Sequence, residues 1–358
     1  MLKFVIKRLI YGNLVLIGVI TVIFLLFNIL PGDPARMMMG QRADVVSIDA
    51  IKHELGLDRS LLTQYVMYVN DLSPVSVHNT VDKDHYLFFN EEKYKSAVKL
   101  ISFGKEAVVF KFPYLRRSYQ TKREVSEIIW EAMPETFLLA SAAMLFATII
   151  GVLLGILSAI KQGTWLDKSS LILGVLGMSG PSFFIGLVMS WVFGYLLADF
   201  TGLEPTGSLY DIDPFKGEVM EIKNLILPAI TLGIRPLAII LQLTRNSLLE
   251  VLSQDYIRTA TAKGLSFYAV IFKHALKNAL TPVVTTISGW FAGLMAGSVF
   301  VESVFAWKGI GSEVVNALEK YDLPVVIGSV LIISIVFILI NIIVDIIYGI
   351  LDPRVRVQ

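Results

Sequence analysis

Long apolar runs separated by short polar connectors set the pattern of this chain, and six of the runs are long enough to cross a bilayer. They lie near Leu9–Leu30, Pro134–Ile160, Ser170–Ala198, Leu225–Gln242, Leu280–Val301 and Pro324–Leu351. A helix over Leu9–Leu30, about 22 residues, would extend roughly 33 Å, close to the thickness of the hydrocarbon layer. Two runs carry internal breakers, Gly180-Pro181 in the third and Arg235-Pro236 in the fourth, which predict interruptions that neighbouring helices can satisfy. The pattern predicts an all-α polytopic membrane protein of six transmembrane helices. Residues 1–30 hold a polar start and the first span, residues 31–133 a segment outside the membrane, and residues 134–358 a five-helix core.

The first run follows Lys3, Lys7 and Arg8 and ends in Pro31-Gly32-Asp33-Pro34. Its length and the lack of a small-x-small site beside it favour a retained span over a removed signal. In the segment after it, helices are expected over Ile48–Leu55, stopped by Gly56, and over Ser60–Leu72, stopped by Ser73-Pro74. The second has an apolar stripe of Leu61, Leu62, Tyr65, Val66 and Val69. Tyr86–Phe89 and Ala107–Phe112 have the aromatic and β-branched content of short strands. The segment can form a small subdomain or a flap lying on the membrane face.

Composition agrees with a lipid environment. Hydrophobic residues make up 55% of the 358 and charged residues 17%, against roughly 25% charged in soluble domains. A formal charge of +1 exerts no overall pull on nucleic acid, so the placement of charges matters more. With no cysteine, disulfides and thiolate chemistry are excluded. Lys161, Lys168, Arg245, Arg258, Lys263, Lys273, Lys277, Arg354 and Arg356 cluster on the side of the N-terminal basic residues, and the short connectors on the other side hold only Lys216, Lys223, Lys308 and Lys320, the long segment 31–133 being rich in both signs and outside the reach of the rule. The positive-inside rule then places both termini in the cytoplasm and segment 31–133 outside.

Enzyme chemistry finds little support. Gly177-Met178-Ser179-Gly180 has the form of an intramembrane serine nucleophile, but the histidines, His53, His78, His85 and His274, all lie outside the predicted spans, and a serine needs a base in reach. A small-residue packing face explains the motif better. No phosphate-binding GxxxxGK[ST] loop, HExxH or EF-hand occurs, so neither an own ATP site nor a metal or other cofactor is expected.

Small and charged residues in the spans carry more. Gly151 and Gly155, and Gly289, Gly293 and Gly297, recur at four-residue spacing and predict close helix packing, the last three either within the chain or at the seam with a partner subunit. Arg235, Glu302 and Asp345 are ionisable groups in or near hydrocarbon. For Glu302 and Asp345 an interfacial or internal ion pair is the simpler account. Arg235 can equally face an aqueous pathway and bind a carboxylate, and Arg235 with Glu302 are the candidate pathway or gating residues. The loop 245–280 predicts a short helix, with Asp255 as N-cap, Tyr256–Lys263 helical, Gly264 at a left-handed C′ position and Ser266 capping a second helix. Tyr256, Ile257 and Ala260 are expected on one side, Arg258 and Lys263 on the other. Such a bracketed helix suits a rigid projection moved by a separate motor, or a basic hairpin on anionic lipid; both readings remain open on the residues alone.

Asp255-Tyr256-Ile257-Arg258-Thr259-Ala260-Thr261-Ala262-Lys263-Gly264-Leu265-Ser266, continuing through Lys273–Pro282, resembles the EAA loop of permease subunits in dipeptide/oligopeptide/nickel ABC importers. Lys7-Arg8-Leu9, Leu30–Pro34, Leu55–Asp58, Gly180–Phe183, Leu243–Arg245, Val301–Phe305 and Asp345–Arg354 match the same family in order. Only about Asp71–Arg123 lies outside the resemblance, being longer than the usual connection. Arg258 replaces the glutamate of the generic EAA pattern, as is common in the peptide branch. The resemblance implies the type I importer permease fold in a bacterial inner membrane, and one half of a path for di- or oligopeptides. It also implies as partners a second homologous permease, two cytosolic ATP-binding subunits docking on Asp255, Tyr256, Ile257, Arg258, Thr259, Ala260, Lys263 and Gly264, and an extracytoplasmic binding protein. Related permeases carry nickel complexes, glutathione or oligosaccharides. An ion-gradient-driven transporter is the alternative, although no internal repeat supports it.

Overall fold

A computed structural model describes residues 2–29, 52, 56–82, 85–91, 93–94, 97–213, 215 and 217–351. The expected helix over Ile48–Leu55, the Pro31–Pro34 exit and the Asp352–Arg354 end lie outside the described residues. Chain contacts divide the protein into two compact units. One comprises residues 1–12, 132–315 and 333–358, the other residues 13–131 and 316–332.

The described helices α1 (Leu2–Ile29), α3 (Val125–Ile160), α6 (Ile226–Leu252) and α12 (Leu323–Leu351) each contain an apolar stretch long enough to cross a membrane. Two bent pairs bring the number to six if each counts as one span. The first pair is α4 (Trp165–Ser179) with α5 (Ser182–Met189), which continues as a π-helix over Ser190–Leu196. The second is α8 (Phe267–Ala279) with α9 (Thr281–Gly297).

The sequence breakers behave unequally. Gly180-Pro181 turns the chain by 110°. Gly180 adopts extended angles, φ −83° and ψ 148°, because the proline ring pushes its predecessor out of the helical region. Arg235-Pro236 does not interrupt the fourth run, contrary to the sequence expectation: α6 passes through Pro236 and on to Leu252. One missing N–H is tolerated there because Leu232 and Ile240, on either side of it, are held in the core. The fifth run is bent by 49°, and helix begins at Val125, ahead of the second run.

In the first unit the core gathers Leu139, Ala143, Ala147, Leu232, Ile240, Val283, Leu294, Phe305 and Trp307. Gly151 and Gly155 let α3 lie directly on α6. A Cβ on Gly155 would stand 2.6 Å from Thr244 Cβ and 2.8 Å from the Leu241 carbonyl oxygen, so backbone approach replaces side-chain interdigitation. At Gly289, Gly293 and Gly297 an added Cβ would meet nothing within 4 Å among the described residues.

The second unit contains α2 (Leu61–Leu72) and the strands β1 (Val75–Asn79), β2 (Val98–Phe103) and β3 (Glu106–Phe110). Ser60 caps α2 through the Thr63 amide. The sheet is antiparallel in the order β1-β3-β2. Tyr86–Phe89 is not a strand, contrary to the sequence reading, and supplies one bridge, Phe88 to Asn79; its aromatic Phe89 faces Ala107, Val109 and Tyr94 in the small core instead. β1 and β2 escaped the pattern because polar Ser76, His78 and Asn79 are the buried positions of β1, while β2 is exposed throughout.

A polar cluster stands in for missing apolar mass in this unit. Buried Asp71 receives the Tyr94 hydroxyl at 2.5 Å and the Lys93 ammonium at 2.8 Å. Lys111 donates to the Asp71 carbonyl at 2.5 Å. His78, 1% exposed, shares a 3.0 Å hydrogen bond with Ser76. Burial, assisted by the Lys111 charge, pushes the His78 imidazole down to about 4. Its unfolded value is about 6.5, so the neutral ring favours folding above pH 6.5 and that contribution is lost as pH falls towards 4. The protection factors of the Val77 and Val109 amides, exchange rates corrected for the intrinsic pH dependence of exchange, are therefore expected to fall over this window, reflecting a loss of at most about 3 kcal/mol. His78→Gln should flatten that pH dependence.

Candidate coupling and pathway site

The cytosolic-type loop singled out by sequence folds as α7 (Asp255–Ala262) between α6 and α8. Gln254, not Asp255, occupies the N-cap position, with extended angles and no side-chain cap. Asp255 is instead the first helical residue, where its charge suits the helix dipole and pairs with Arg258 at 3.4 Å. The far end closes as the sequence implies. Gly264 has φ +81°, and the Gly264 amide bonds the Thr261 carbonyl at 3.0 Å; the left-handed angle is easy for glycine. Ser266 then caps α8 through the Ala269 amide at 3.4 Å.

The faces of α7 differ from the expected division. Ile257 and Ala260 are buried and pack with Ile156, Leu248, Val270, Ala275 and Ala279. They fasten the helix to its own chain and are not free to touch a partner. Tyr256 is exposed, and its hydroxyl accepts a 2.9 Å bond from the Asn278 amide. Of the residues expected to dock a partner, Asp255, Tyr256, Arg258, Thr259, Lys263 and Gly264 are exposed.

Beside this platform lies an ion pair that sequence reasoning missed. Arg245 Nε and Nη2 donate to the two carboxylate oxygens of Asp167 at 2.6 and 2.8 Å. Ser158 and the Gly163 amide complete the carboxylate at 2.5 and 2.9 Å. One carboxylate therefore joins the end of α3, the turn after it, the start of α4 and α6. The available signal was a lone acid at the head of an apolar run, but its partner stands 78 positions away.

The two candidate pathway residues are not in contact. Arg235 Nη2 donates to the Gly180 carbonyl at 2.9 Å, an acceptor at the C-terminal end of α4 that the break leaves without a helical partner. Its buried Nε has no hydrogen-bond partner. A cation that ties down the bend while keeping a donor free can hold an anionic group beside it.

Glu302 is buried, so it does not snorkel, and it forms no ion pair among the described residues, unlike the simpler sequence account. It sits in α10 (Val299–Phe305) with 0% exposure. Its Oε2 accepts the Gly311 and Ser312 amides at 2.7 and 3.2 Å, at the start of α11 (Ile310–Glu319). Thr136 Oγ1 accepts the neighbouring Ile310 amide at 2.8 Å. Burial holds the Glu302 carboxyl above the usual range. Its role is a remote helix cap, because the orphan amides of the first turn need acceptors and α11 supplies none of its own. Asp345 pairs with Arg8 at 3.1 Å. Ser179 donates to the Val175 carbonyl at 2.7 Å, a bond within its own helix.

Broken apolar helices around a tightly packed core, with a short amphipathic helix held out on a connecting loop, define the class: a multi-pass membrane transport subunit. Residues 151–357 match the family described as binding-protein-dependent transport system inner membrane component, and residues 1–86 match the N-terminal region described for such membrane components. The chain belongs to this family of inner-membrane permeases, which work with ATP-binding and substrate-binding partners.

Curated relatives match along the whole length. The dipeptide transport system permease protein DppB of Alkalihalophilus pseudofirmus is 36% identical, over 99% of this chain and 100% of its own. The di/tripeptide transport system permease protein DppB of Pseudomonas aeruginosa is 35% identical over 100% of both. The glutathione transport system permease protein GsiC of Escherichia coli is 35% identical over 99% of both. Among solved structures, the inward-facing MetNI methionine ABC transporter matches with a TM-score of 0.51 at 18% identity, over 63% of this chain and 97% of the other. That last likeness concerns the fold alone.

Proposed function

We propose that this chain is one half of the translocation path of an ATP-driven importer for di- or oligopeptides. The observation that carries the reading is the end-to-end similarity to permeases named for dipeptides and di/tripeptides. On this reading α4 with α5 makes one span and α9 another, giving six, with both termini cytoplasmic and segment 31–133 outside. A second homologous permease completes the path, and Gly289, Gly293 and Gly297, whose Cβ positions face open space among the described residues, suit a seam with it. Two cytosolic ATP-binding subunits hydrolyse ATP on behalf of the chain, and an extracytoplasmic binding protein delivers cargo. The core 134–358 moves the cargo, and the loop 245–280 receives the stroke.

The loop geometry supports docking by Tyr256, Arg258, Thr259 and Lys263, with Ile257 and Ala260 as its anchors. Arg235 is the candidate for holding a peptide carboxylate. Because the chain is free of cysteine, single replacements report cleanly. Thr259→Cys or Arg258→Cys in the assembled transporter should cross-link to cysteines in the ATPase groove, whereas Ala260→Cys should not. Vesicles holding the complete set of subunits should accumulate peptide only with ATP. Uptake by this chain alone, driven by an ion gradient, would overturn the proposal.

A further inference from the structure

Every exposed residue of α2 is aliphatic. Leu61 is 62% exposed, Leu62 74%, Val66 41% and Val69 36%. Positions 62, 66 and 69 fall one above another on a helix, with Leu61 beside them. The opposite side is occupied, since Tyr68, Asp71 and Leu72 are buried. Asp71 is thus turned inward, Thr63, Gln64 and Asn70 are half-buried, and the most exposed positions are aliphatic, the reverse of a helix on a water-facing surface.

The location of α2 identifies what covers that side. Tyr65 Oη lies 2.7 Å from Thr21 Oγ1. The Phe24 ring meets Tyr65 edge-on at 5.1 Å and stacks with Tyr68 at 5.8 Å. Thr21 and Phe24 both belong to the apolar stretch Ile6–Leu26 of α1. Thr21 stands about 7.5 Å of helical rise inside its end. The helix therefore runs beside the last turns of a membrane span, at the depth where acyl chains give way to head groups. There α1 is bare as well, with Val22 56%, Leu25 51% and Leu26 55% exposed, so the aliphatic side of α2 continues the lipid-facing surface of the span.

We propose that α2 is an interfacial helix whose Leu61, Leu62, Val66 and Val69 side is seated in the lipid leaflet at the C-terminal end of α1. Membrane-surface helices sink their apolar side about 5–10 Å below the boundary, which matches the depth set by Thr21. Exposed Asp58 and Arg59, paired at 3.9 Å just before the cap Ser60, lie at head-group level. The proposal needs only that the chain spans a membrane, so it stands or falls apart from the identity of the cargo.

Environment-sensitive fluorophores on single cysteines test it. Leu62→Cys and Val66→Cys, neither at a buried site, are labelled in the assembled transporter in nanodiscs of phosphatidylethanolamine and phosphatidylglycerol. Lys105→Cys, on the β2–β3 turn, serves as the aqueous reference. Labels at 62 and 66 should emit to the blue, be quenched by lipids spin-labelled near the head of the acyl chain, and be at least about fivefold less sensitive to aqueous iodide than the label at 105. Quenching by iodide equal to that at 105 would overturn the proposal. So would shielding that arises only when binding protein is added, because the occupant would then be protein.

Discussion

Asp167→Ala is expected to destabilise the folded chain by about 3–5 kcal/mol and to abolish ATP-driven uptake. The side chains of Asp167 and Arg245 are 4% and 16% exposed, so the mutation strands a guanidinium that water reaches poorly. It also removes the acceptor for Ser158 and the Gly163 amide, undoing the turn between α3 and α4. Removing both charges should be milder than removing Asp167 alone, because no unpaired ion is left behind. Asp167→Ala, Arg245→Ala and the double variant, compared by thermal unfolding in detergent, form the cycle. Strictly additive losses would show that the pair contributes nothing as a unit. Uptake should fall further than folded protein does, since Arg245 lies on the same helix that leads into α7.

That ion pair also marks the boundary of what the sequence discloses. Apolar length alone places α1, α3, α6 and α12 as helices long enough to cross a membrane, because a run of some twenty apolar residues has few other solutions. Local chemistry also places the bracket of α7: the Gly264 amide donates to the Thr261 carbonyl and Ser266 Oγ accepts the Ala269 amide, each three residues away. The direction in which α7 faces is another matter. Its burial depends on Ile156, Leu248 and Val270, which arrive from three other elements, so a helical wheel cannot tell an anchor from a docking surface. Proline illustrates the same divide. Pro181 breaks its helix and Pro236 does not, although each removes one N–H, because the surrounding packing decides whether the chain continues. The mixed unit was hardest to read. Its buried strand positions are Ser76, His78 and Asn79, and a pattern that equates burial with apolarity inverts there.

The same contrast explains how the pathway candidates divide. Arg235 and Glu302 look alike in sequence, each a charge beside an apolar run. Arg235 sits at a helix break with Nη2 on the Gly180 carbonyl, and its Nε is buried without a hydrogen-bond partner among the described residues. Glu302 Oε2 accepts two amides at the start of α11, while its Oε1, like Arg235 Nε, is buried without a hydrogen-bond partner among the described residues.

Glu302→Ala is accordingly expected to act through folding. Two amides of the first turn of α11 would lose their acceptor in a dry site, each costing about 1–3 kcal/mol, with a cavity term added. A total near 3–5 kcal/mol follows, enough to deplete the folded population of a marginally stable protein. Glu302→Gln separates this role from a gating one. An amide oxygen can accept the Gly311 and Ser312 amides as the carboxylate does, so the glutamine variant should retain most of the stability and transport that alanine loses. If gating by charge were the role, glutamine would fail in uptake while folding normally. Gly309→Ala supplies the reciprocal test. A methyl group there would collide with the Glu302 carboxyl and with Thr136 Oγ1, expelling the cap from its place. Thermal unfolding of Gly309→Ala should therefore match that of Glu302→Ala, and combining the two should cost less than the sum, since each removes the same contact.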